Sequence, residues 1–306
     1  MNPITGETLA LVSSPAFDPN QLTLGLSAAQ WKMLEDNPLK PLQTRFKQAY
    51  APGSMLKPVT AGIALMNNSI NPAEAVKITS KKWQKDKSWG SYFVTRVHES
   101  NPVNLEKALI FSDNIYFAQT ALKIGKENFA AGLRNFGFES EMEFPFPLET
   151  SQIGQLGSEI ALADSGYGQG QIQMNIVHLM ASYTPFVNGG NMIKPVLLMD
   201  DQKNQVFKEQ VISKAAADTI APILRKIVSE PSGTAHRAEI PGHPLAGKTG
   251  TAELKAKQGE KGTENGWFVA YNTNTPNLLV AMFVEGVQDS GGSQVPVKMM
   301  KNVFTE

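Results

Sequence analysis

The stretch SMLK at residues 54–57 decides which fold and which chemistry this chain is expected to have. Two further runs follow it, SDN at residues 112–114 and KTGT at residues 248–251. Each run is common alone, but their order and wide spacing predict a serine nucleophile supported by two lysines and further hydroxyl groups. A second Ser-x-Asn run at residues 69–71 follows Ser54 too closely for the chain to return it to that serine.

Ser54 is the candidate nucleophile and Lys57 the candidate base. Ser54 follows a Pro-Gly pair and precedes an apolar stretch, which predicts a position near a helix N-terminus, where developing negative charge is favoured. Because positions i and i+3 share one side of a helical turn, the Lys57 amine can reach the Ser54 hydroxyl. Burial beside another cation would lower the lysine pKa enough for it to act as a base, whereas Pro58 indicates an irregular or 3₁₀ first turn. The alternative is a helix-capping serine beside a solvated lysine.

The SDN run interrupts a helical pattern between Phe111 and Ile115. Its residues prefer turns, so it predicts a short loop that presents side chains into a cleft. Ser112 could relay a proton between a lysine and the leaving group, and Asn114 could hold a peptide-like substrate through its amide. The alternative is a plain cap between two helices.

The KTGT run is predicted to lie on a strand, where Lys248 and Gly250 point one way and Thr249 and Thr251 the other. Lys248 would supply the second positive charge, and both threonine hydroxyls could bind a carboxylate. Gly250 would let a substrate backbone approach closely. The backbone N–H groups of Thr251 and Ser54 could together form an oxyanion hole.

Residues 242–249 also satisfy the phosphate-binding pattern G-x-x-x-x-G-K-[ST], which requires a buried parallel strand before it and a helix after it. Pro241 and Pro244 interrupt the region where that strand would lie. Gly250 and the β-prone Thr251 stand where the helix would begin. The sequence therefore disfavours nucleotide binding.

Composition narrows the remaining choices. The 306 residues carry 28 basic and 28 acidic side chains, so nothing indicates nucleic-acid binding. The absence of cysteine excludes a disulfide framework, a thiolate nucleophile and a cysteine-ligated zinc site. The four histidines lack metal-ligand spacing, and no Gly-x-Ser-x-Gly elbow occurs, so neither a metal, a cofactor nor a Ser-His-Asp site is expected.

The order of apolar patterns predicts an α+β fold in one compact unit. An antiparallel sheet built from residues 1–50 and 240–306 is expected beside an inserted, mostly helical lobe of residues 51–239. The chain begins almost directly on an expected strand, which favours a domain excised from a longer protein. Strands are predicted at residues 9–12, 245–254, 266–271 and 278–284, and helices at 27–37, after Ser54, and at 105–111, 115–124, 129–136, 176–186, 215–228 and 297–304.

With these runs placed, the chain resembles the penicillin-recognising serine enzymes, and among them the transpeptidase domain of a class B penicillin-binding protein. Further support comes from TGE at residues 5–7, GYGQG at residues 166–170 and KTGTAE at residues 248–253. Residues 83–89 and 252–267 also resemble the low-affinity enzymes of methicillin-resistant staphylococci and of enterococci. The resemblance implies a five-stranded antiparallel sheet flanked by helices, plus the inserted helical lobe.

The resemblance also implies a role for each matching residue. Ser54 would be acylated by the penultimate D-alanine of a peptidoglycan stem peptide, and an amine from a neighbouring stem would resolve the acyl-enzyme. β-Lactam antibiotics would acylate Ser54 as substrate mimics. The implied assignments are Lys57 as base, Ser112 as proton relay, Asn114 as substrate clamp, and Lys248, Thr249, Gly250 and Thr251 as the binding strand.

The family further implies a membrane anchor and a non-catalytic domain N-terminal to this region, at the extracytoplasmic face of the bacterial membrane. A glycosyltransferase of the cell-wall machinery would be a partner. Neither a cofactor nor nucleic acid is expected.

Three rival functions share parts of this pattern. A class A β-lactamase needs a deacylating glutamate with an asparagine four residues later; Glu149 lies at a suitable distance, but Ile153 follows it. No Tyr-x-Asn run occurs, which disfavours class C β-lactamases and carboxypeptidases. A β-lactam sensor domain remains open, whereas the intact Ser54 and both lysines argue against a binding module with a dead site.

Overall fold

A computed structural model describes residues 1–254 and 262–305 of the chain. The helices in these residues are α1 (Pro19–Leu24), α2 (Ala28–Glu35), α3 (Lys57–Met66), α4 (Leu105–Ile110), α5 (Asn114–Ile124), α6 (Lys126–Asn135), α7 (Glu159–Ser165), α8 (Ile176–Tyr183), α9 (Lys214–Ser229) and α10 (Gln294–Val303). The strands are β1 (Ala49–Tyr50), β2 (Lys82–Trp83), β3 (Val94–Thr95), β4 (Met174–Asn175), β5 (Met192–Ile193), β6 (Val206–Lys208), β7 (Leu245–Leu254), β8 (Thr263–Asn272) and β9 (Leu279–Val284).

The largest sheet of the described residues is an antiparallel meander in the order β7-β8-β9. β8 lies in the middle and is nearly continuously buried, as expected for a strand covered on both faces. Helix α9 packs along β7, α8 packs against β9, and α10 packs against β8 and β9. The strands predicted at residues 245–254, 266–271 and 278–284 are therefore confirmed as antiparallel neighbours, and β7 has the predicted bounds.

The strand predicted at residues 9–12 is wrong. Leu9 is 61% exposed and Val12 is 81% exposed, so this apolar run has no buried face against which a strand could be held. Pairing occurs just before it, where Glu7 forms an isolated parallel bridge with Val196. The run is apolar enough to predict a strand, but whether it is buried depends on which other segments of the fold pack against it.

The five-stranded sheet is likewise not confirmed, because the β7-β8-β9 sheet has three strands among the described residues. The N-terminus still reaches it: the Met1 amine donates to the Leu279 carbonyl at 2.7 Å, and the Leu279 N–H donates to the Met1 carbonyl at 2.8 Å. The α+β class holds. The division into sheet and helical lobes at residues 1–50, 51–239 and 240–306 remains a prediction.

Helix α3 forms the centre of the helical part, where eight consecutive residues from Lys57 to Ala64 are buried. It packs against α5, α6 and α9. The helices predicted from apolar spacing are all present with shifts of a few residues, whereas α1 and α7 were not predicted. None of the helices in the described residues has the length and apolar character needed to cross a bilayer.

Candidate active site

Ser54 lies in a 3₁₀ turn, Gly53–Leu56, that runs directly into α3. Pro58 stands in the first turn of α3, where its missing N–H leaves no helical hydrogen bond unmade. The predicted 3₁₀ turn at a helix N-terminus is confirmed. Ser54 is half-buried, whereas Met55, Leu56 and Lys57 are buried.

Donors from outside this turn hold the backbone on both sides of Ser54. The Trp267 indole N–H donates to the Ala51 carbonyl at 3.1 Å, and the Tyr183 hydroxyl donates to the Met55 carbonyl at 2.8 Å. Both aromatic side chains are fully buried. The turn is therefore fixed to β8 and to α8 as well as to its own helix.

Two glycines allow three backbones to meet beside Ser54. The N–H of Gly53 donates to the Gly168 carbonyl at 2.9 Å. Gly53 has a φ of +53°, and a Cβ there would lie 2.5 Å from the Thr251 carbonyl oxygen. Gly168 has a φ of +81°, and its Cβ would lie 1.9 Å from the Gly53 carbonyl oxygen. Strand β7, the Ser54 turn and the GYGQG loop are thus in backbone contact.

We expect Gly168→Ala to lower the free energy of unfolding by roughly 2–6 kcal/mol, because strained backbone costs about 1–3 kcal/mol and enforced overlap about 1–3 kcal/mol more. Chemical denaturation measures the change. Gly25→Ala is the matched control, since Gly25 has a φ of +92° with nothing within 4 Å of its Cβ position. Equal losses in the two variants would contradict the contact with Gly53.

Lys57 lies at the centre of a hydrogen-bonded group. Its Nζ donates to the Ser112 carbonyl at 2.6 Å, the Ser112 Oγ at 3.0 Å and the Asn114 Oδ1 at 2.7 Å. No hydrogen bond joins Lys57 to Ser54 among the residues that the structure describes. The charged Lys57 ammonium therefore uses all three of its N–H donors on the SDN run. A neutral Lys57 amine would instead have a lone pair that could accept the serine proton.

Burial lowers the pKa of Lys57 well below that of an ordinary lysine, and the nearby positive charge of Lys248 lowers it further. The Asp113 carboxylate acts in the opposite direction. Burial also lowers the pKa of Lys248, to about 7. Protonating both of these buried amines costs free energy, because two positive charges would lie close together away from water. This favours one neutral and one charged lysine.

Ser112 connects these two lysines, as its Oγ accepts from Lys57 Nζ and from Lys248 Nζ at 3.0 Å each. It lies in the short loop between α4 and α5 and has a φ of +54°, a conformation that non-glycine residues rarely adopt. The predicted interhelix loop is confirmed. A hydroxyl shared by two amines can pass a proton between them or to a third group.

The SDN loop is fixed by its other two residues. Asp113 caps α5 by accepting from the Tyr116 N–H at 3.0 Å and forms a buried ion pair with Arg96 at 2.7 Å. Asn114 donates from Nδ2 to the Thr95 carbonyl at 2.9 Å while its Oδ1 accepts from Lys57. The amide predicted to clamp a substrate therefore also links β3 to the lysine.

Strand β7 places its side chains in the predicted alternation. Lys248 points to Ser112, whereas the Thr249 hydroxyl donates to the Thr234 hydroxyl at 2.8 Å on the other face. Thr234 was not predicted, because it lies in the loop after α9 and carries no motif; only the contact with β7 reveals it. A Cβ on Gly250 would lie 2.7 Å from Met55 Cγ, so packing against the Ser54 turn already requires glycine there.

His178 is structural. It is buried, with Nδ1 2.6 Å from Ser151 Oγ and Nε2 2.7 Å from the Phe136 carbonyl oxygen, and burial lowers its pKa to about 4. Among residues 1–254 and 262–305, no three histidine, aspartate or glutamate side chains converge as metal ligands would.

Comparison with known proteins places the whole chain in one family. Residues 1–305 match the penicillin binding protein transpeptidase domain. The chain is 47% identical to penicillin-binding protein 3 of Bacillus subtilis over 309 aligned residues, which cover 99% of this chain and 46% of that protein. It is 27% identical to the peptidoglycan D,D-transpeptidase PbpA of Mycobacterium tuberculosis H37Rv, over 94% of this chain and 61% of that protein.

Solved structures have the same fold. Penicillin-binding protein A from M. tuberculosis, as a ceftriaxone acyl-enzyme complex, aligns with a TM-score of 0.86 at 25% identity, covering 100% of this chain and 72% of that one. The D,D-transpeptidase domain from Eggerthella lenta aligns with a TM-score of 0.81 at 23% identity, covering 100% and 76%. The chain spans about half the length of the curated relatives it matches. It belongs to the penicillin-binding protein transpeptidase domain family, in its class B branch.

Proposed function

We propose that this chain is a serine D,D-transpeptidase domain that cross-links peptidoglycan stem peptides through an acyl-enzyme on Ser54. One observation carries the proposal: Lys57, Ser112 and Lys248 form a buried hydrogen-bonded chain beside the Ser54 turn. The relatives named as peptidoglycan D,D-transpeptidases support the reaction type. The acyl-enzyme structures of penicillin-binding protein A support acylation by β-lactams.

The acylation step follows from the two lysine states. Neutral Lys57 takes the proton of Ser54 as Oγ attacks the carbonyl of the penultimate D-alanine. The Ser112 hydroxyl then gives its proton to the departing amine of the terminal D-alanine and takes the proton that Lys57 had received, so Lys57 is neutral again and Lys248 keeps its charge. The C–N bond breaks, an ester to Ser54 remains, and Asn114 holds the peptide backbone. An amine from a neighbouring stem attacks this ester and gives its proton to Lys57, and Lys57 returns that proton to Ser54 Oγ as the ester bond breaks.

We assign two backbone N–H groups to the oxyanion hole. Ser54 is the second residue of its 3₁₀ turn, where an N–H has no partner within the turn. The carbonyl of Thr251 lies against Gly53, so β7 runs directly alongside this turn. The N–H groups of Ser54 and Thr251 are therefore assigned to the oxyanion hole, a kind of contact worth about 10²–10³ in rate per donor.

The substrate carboxylate is assigned to strand β7 itself. Lys248 supplies the charge, and the hydroxyls of Thr249 and Thr251 supply hydrogen bonds. The contact between Thr249 and Thr234 adds a third hydroxyl to this group. Gly250 contributes by letting β7 lie close to the Ser54 turn.

The β-lactamase alternative has less support. The carboxylate of Glu149 accepts from the Ala49 N–H at 2.7 Å, which holds β1 to the segment that follows α6. That carboxylate is committed to the backbone rather than to a water molecule beside an ester. A β-lactam sensor would use every group described so far. It differs from a transpeptidase only because its acyl-enzyme does not turn over.

The setting of the whole protein is part of the proposal. We place the domain at the extracytoplasmic face of a bacterial membrane, joined to an anchor and a non-catalytic domain, with a glycosyltransferase as partner. The more specific likeness to the low-affinity enzymes of staphylococci and enterococci stays a prediction.

Intact-mass spectrometry after incubation with penicillin tests the proposal. We expect the wild type to gain one penicillin mass and Ser54→Ala to gain none. Ser69→Ala is the matched control and should keep the adduct, because Ser69 belongs to the second Ser-x-Asn run outside the site. The absence of an adduct on the wild type, or the presence of one on Ser54→Ala, would contradict the proposal. Rapid loss of the adduct with release of hydrolysed drug would favour a β-lactamase.

A further inference from the structure

Asp164 is a half-buried carboxylate to which the acylation chemistry assigns no role. It lies near the C-terminal end of α7, in the glycine-rich stretch that continues to Gly170. The Tyr92 hydroxyl donates to its Oδ2 at 2.5 Å, and the Tyr167 hydroxyl donates to its Oδ1. Burial raises the pKa of Asp164 and those of both tyrosines. The carboxylate thus joins two segments that are 75 residues apart in sequence.

The first segment leads from Tyr92 to Asn114. Tyr92 lies in the connection between β2 and β3, and three residues later the Thr95 carbonyl accepts from Asn114 Nδ2 at 2.9 Å. The other end of the Asn114 amide accepts from Lys57 at 2.7 Å. A shift of Tyr92 would therefore move the group that holds the candidate base.

The second segment leads from Tyr167 to Ser54. The next residue, Gly168, accepts from the Gly53 N–H at 2.9 Å, and Gly53 directly precedes the nucleophile. On the other side of Tyr167, the Gly166 carbonyl accepts from the Thr60 hydroxyl at 2.9 Å. The loop that carries Tyr167 is thus hydrogen-bonded to Gly53, at the start of the Ser54 turn, and to Thr60 in α3.

We propose that Asp164 is a positioning residue that sets the distance between Ser54 and Asn114 by holding Tyr167 and Tyr92 on its two carboxylate oxygens. The inference rests on the proposed function, since acylation of Ser54 is the reaction that it serves. A carboxylate is required because it accepts on both oxygens, whereas an asparagine amide accepts on one.

The same two segments have a second link that serves as a control. Lys85, in the β2–β3 connection, pairs with Glu159 on α7, but these side chains are 44% and 48% exposed. Exposed pairs add little and are screened by salt. Removing this pair with Glu159→Gln should leave acylation almost unchanged, whereas removing the less exposed Asp164 link should slow it.

The experiment measures acylation by a fluorescent penicillin and separates the dissociation constant of the non-covalent complex from the acylation rate constant. We expect Asp164→Asn, Tyr92→Phe and Tyr167→Phe to lower the rate constant by roughly 10–100-fold, as small misplacements of reacting groups do. The dissociation constant should change little. Tyr271→Phe is the matched control, because Tyr271 is 1% exposed and its buried hydroxyl has no hydrogen-bond partner among the described residues.

A double-mutant cycle separates positioning from general loss of structure. If Tyr92 acts through Asn114, Tyr92→Phe should cost much less in an Asn114→Ala background than in the wild type. Fully additive effects, or wild-type rate constants in Asp164→Asn and both tyrosine variants, would overturn the inference while leaving the proposed function intact. A wild type that acquires no label would overturn both.

Discussion

Replacing Lys57 with methionine is expected to slow acylation of Ser54 by about 10²–10⁴-fold, the usual contribution of a general base. Methionine keeps most of the buried volume but removes the amine that donates to Ser112 and Asn114. No other side chain among the described residues contacts both of these groups and can also take a proton. Stopped-flow measurement with a chromogenic or fluorescent β-lactam gives the rate constant.

Lys107→Met is the control for the removal of a lysine. Lys107 lies on α4 and donates to the Pro102 carbonyl at 3.2 Å in an exposed position, so its loss should leave the rate unchanged. Thermal unfolding of each variant checks that the fold is retained. Acylation at the wild-type rate by Lys57→Met would show that another group takes the proton.

The pH profile of acylation is the second measurement on these variants. The rate should rise with pH as Lys57 loses its proton, at a pH well below the pKa of an ordinary lysine. It should fall again as Lys248, whose pKa burial lowers to about 7, loses the charge that attracts a carboxylate. The expected curve is a bell, and Lys57→Met should lose its rising limb.

Arg96→Met is expected to lower the free energy of unfolding by about 3–5 kcal/mol, because it leaves a buried carboxylate without its partner. Arg96 and Asp113 pair at 2.7 Å with only 1% of each side chain exposed. Arg96 also donates to three backbone carbonyls, those of Ile78, Ser80 and Ser100. Denaturation by urea at constant pH measures the loss.

Two further variants show whether the charge is the cause. Lys214→Met removes an ion pair with Asp218 whose side chains are 74% and 61% exposed, and it should change stability little. Adding Asp113→Asn to Arg96→Met should recover part of the loss, since the uncompensated charge is then gone. A loss below about 1 kcal/mol in Arg96→Met would mean that solvent replaces the arginine.

The candidate site was largely predictable because its side chains are chemically unusual together. Few kinds of site combine two lysines and two serines from three separated runs. The structure brings Lys57, Ser112 and Lys248 within hydrogen-bonding distance. The meander was predictable because its three apolar runs follow one another through polar turns. The predicted contact of Lys57 with Ser54 is not among the hydrogen bonds of the described residues.

Other parts of the site were not predictable. Thr234 and Tyr92 belong to no motif, and each is linked to the proposed site only by a hydrogen bond to a residue distant in sequence. Gly250 was interpreted as room for a substrate, yet its Cβ position is already filled by Met55. The strand expected at residues 9–12 failed because burial, and not local preference, decides whether a short apolar run pairs.

The sequence by itself determined the candidate reacting groups, the 3₁₀ turn before Pro58 and the order of the elements, because local preferences and side-chain chemistry are properties of the residues present. The tertiary structure alone decided the protonation balance of Lys57 and Lys248 and the link from Asp164 to both sides of the site. The physical reason is that a pKa depends on burial and on neighbouring charges, and a hydrogen bond on a distance. Both are set by packing between segments that lie far apart along the chain.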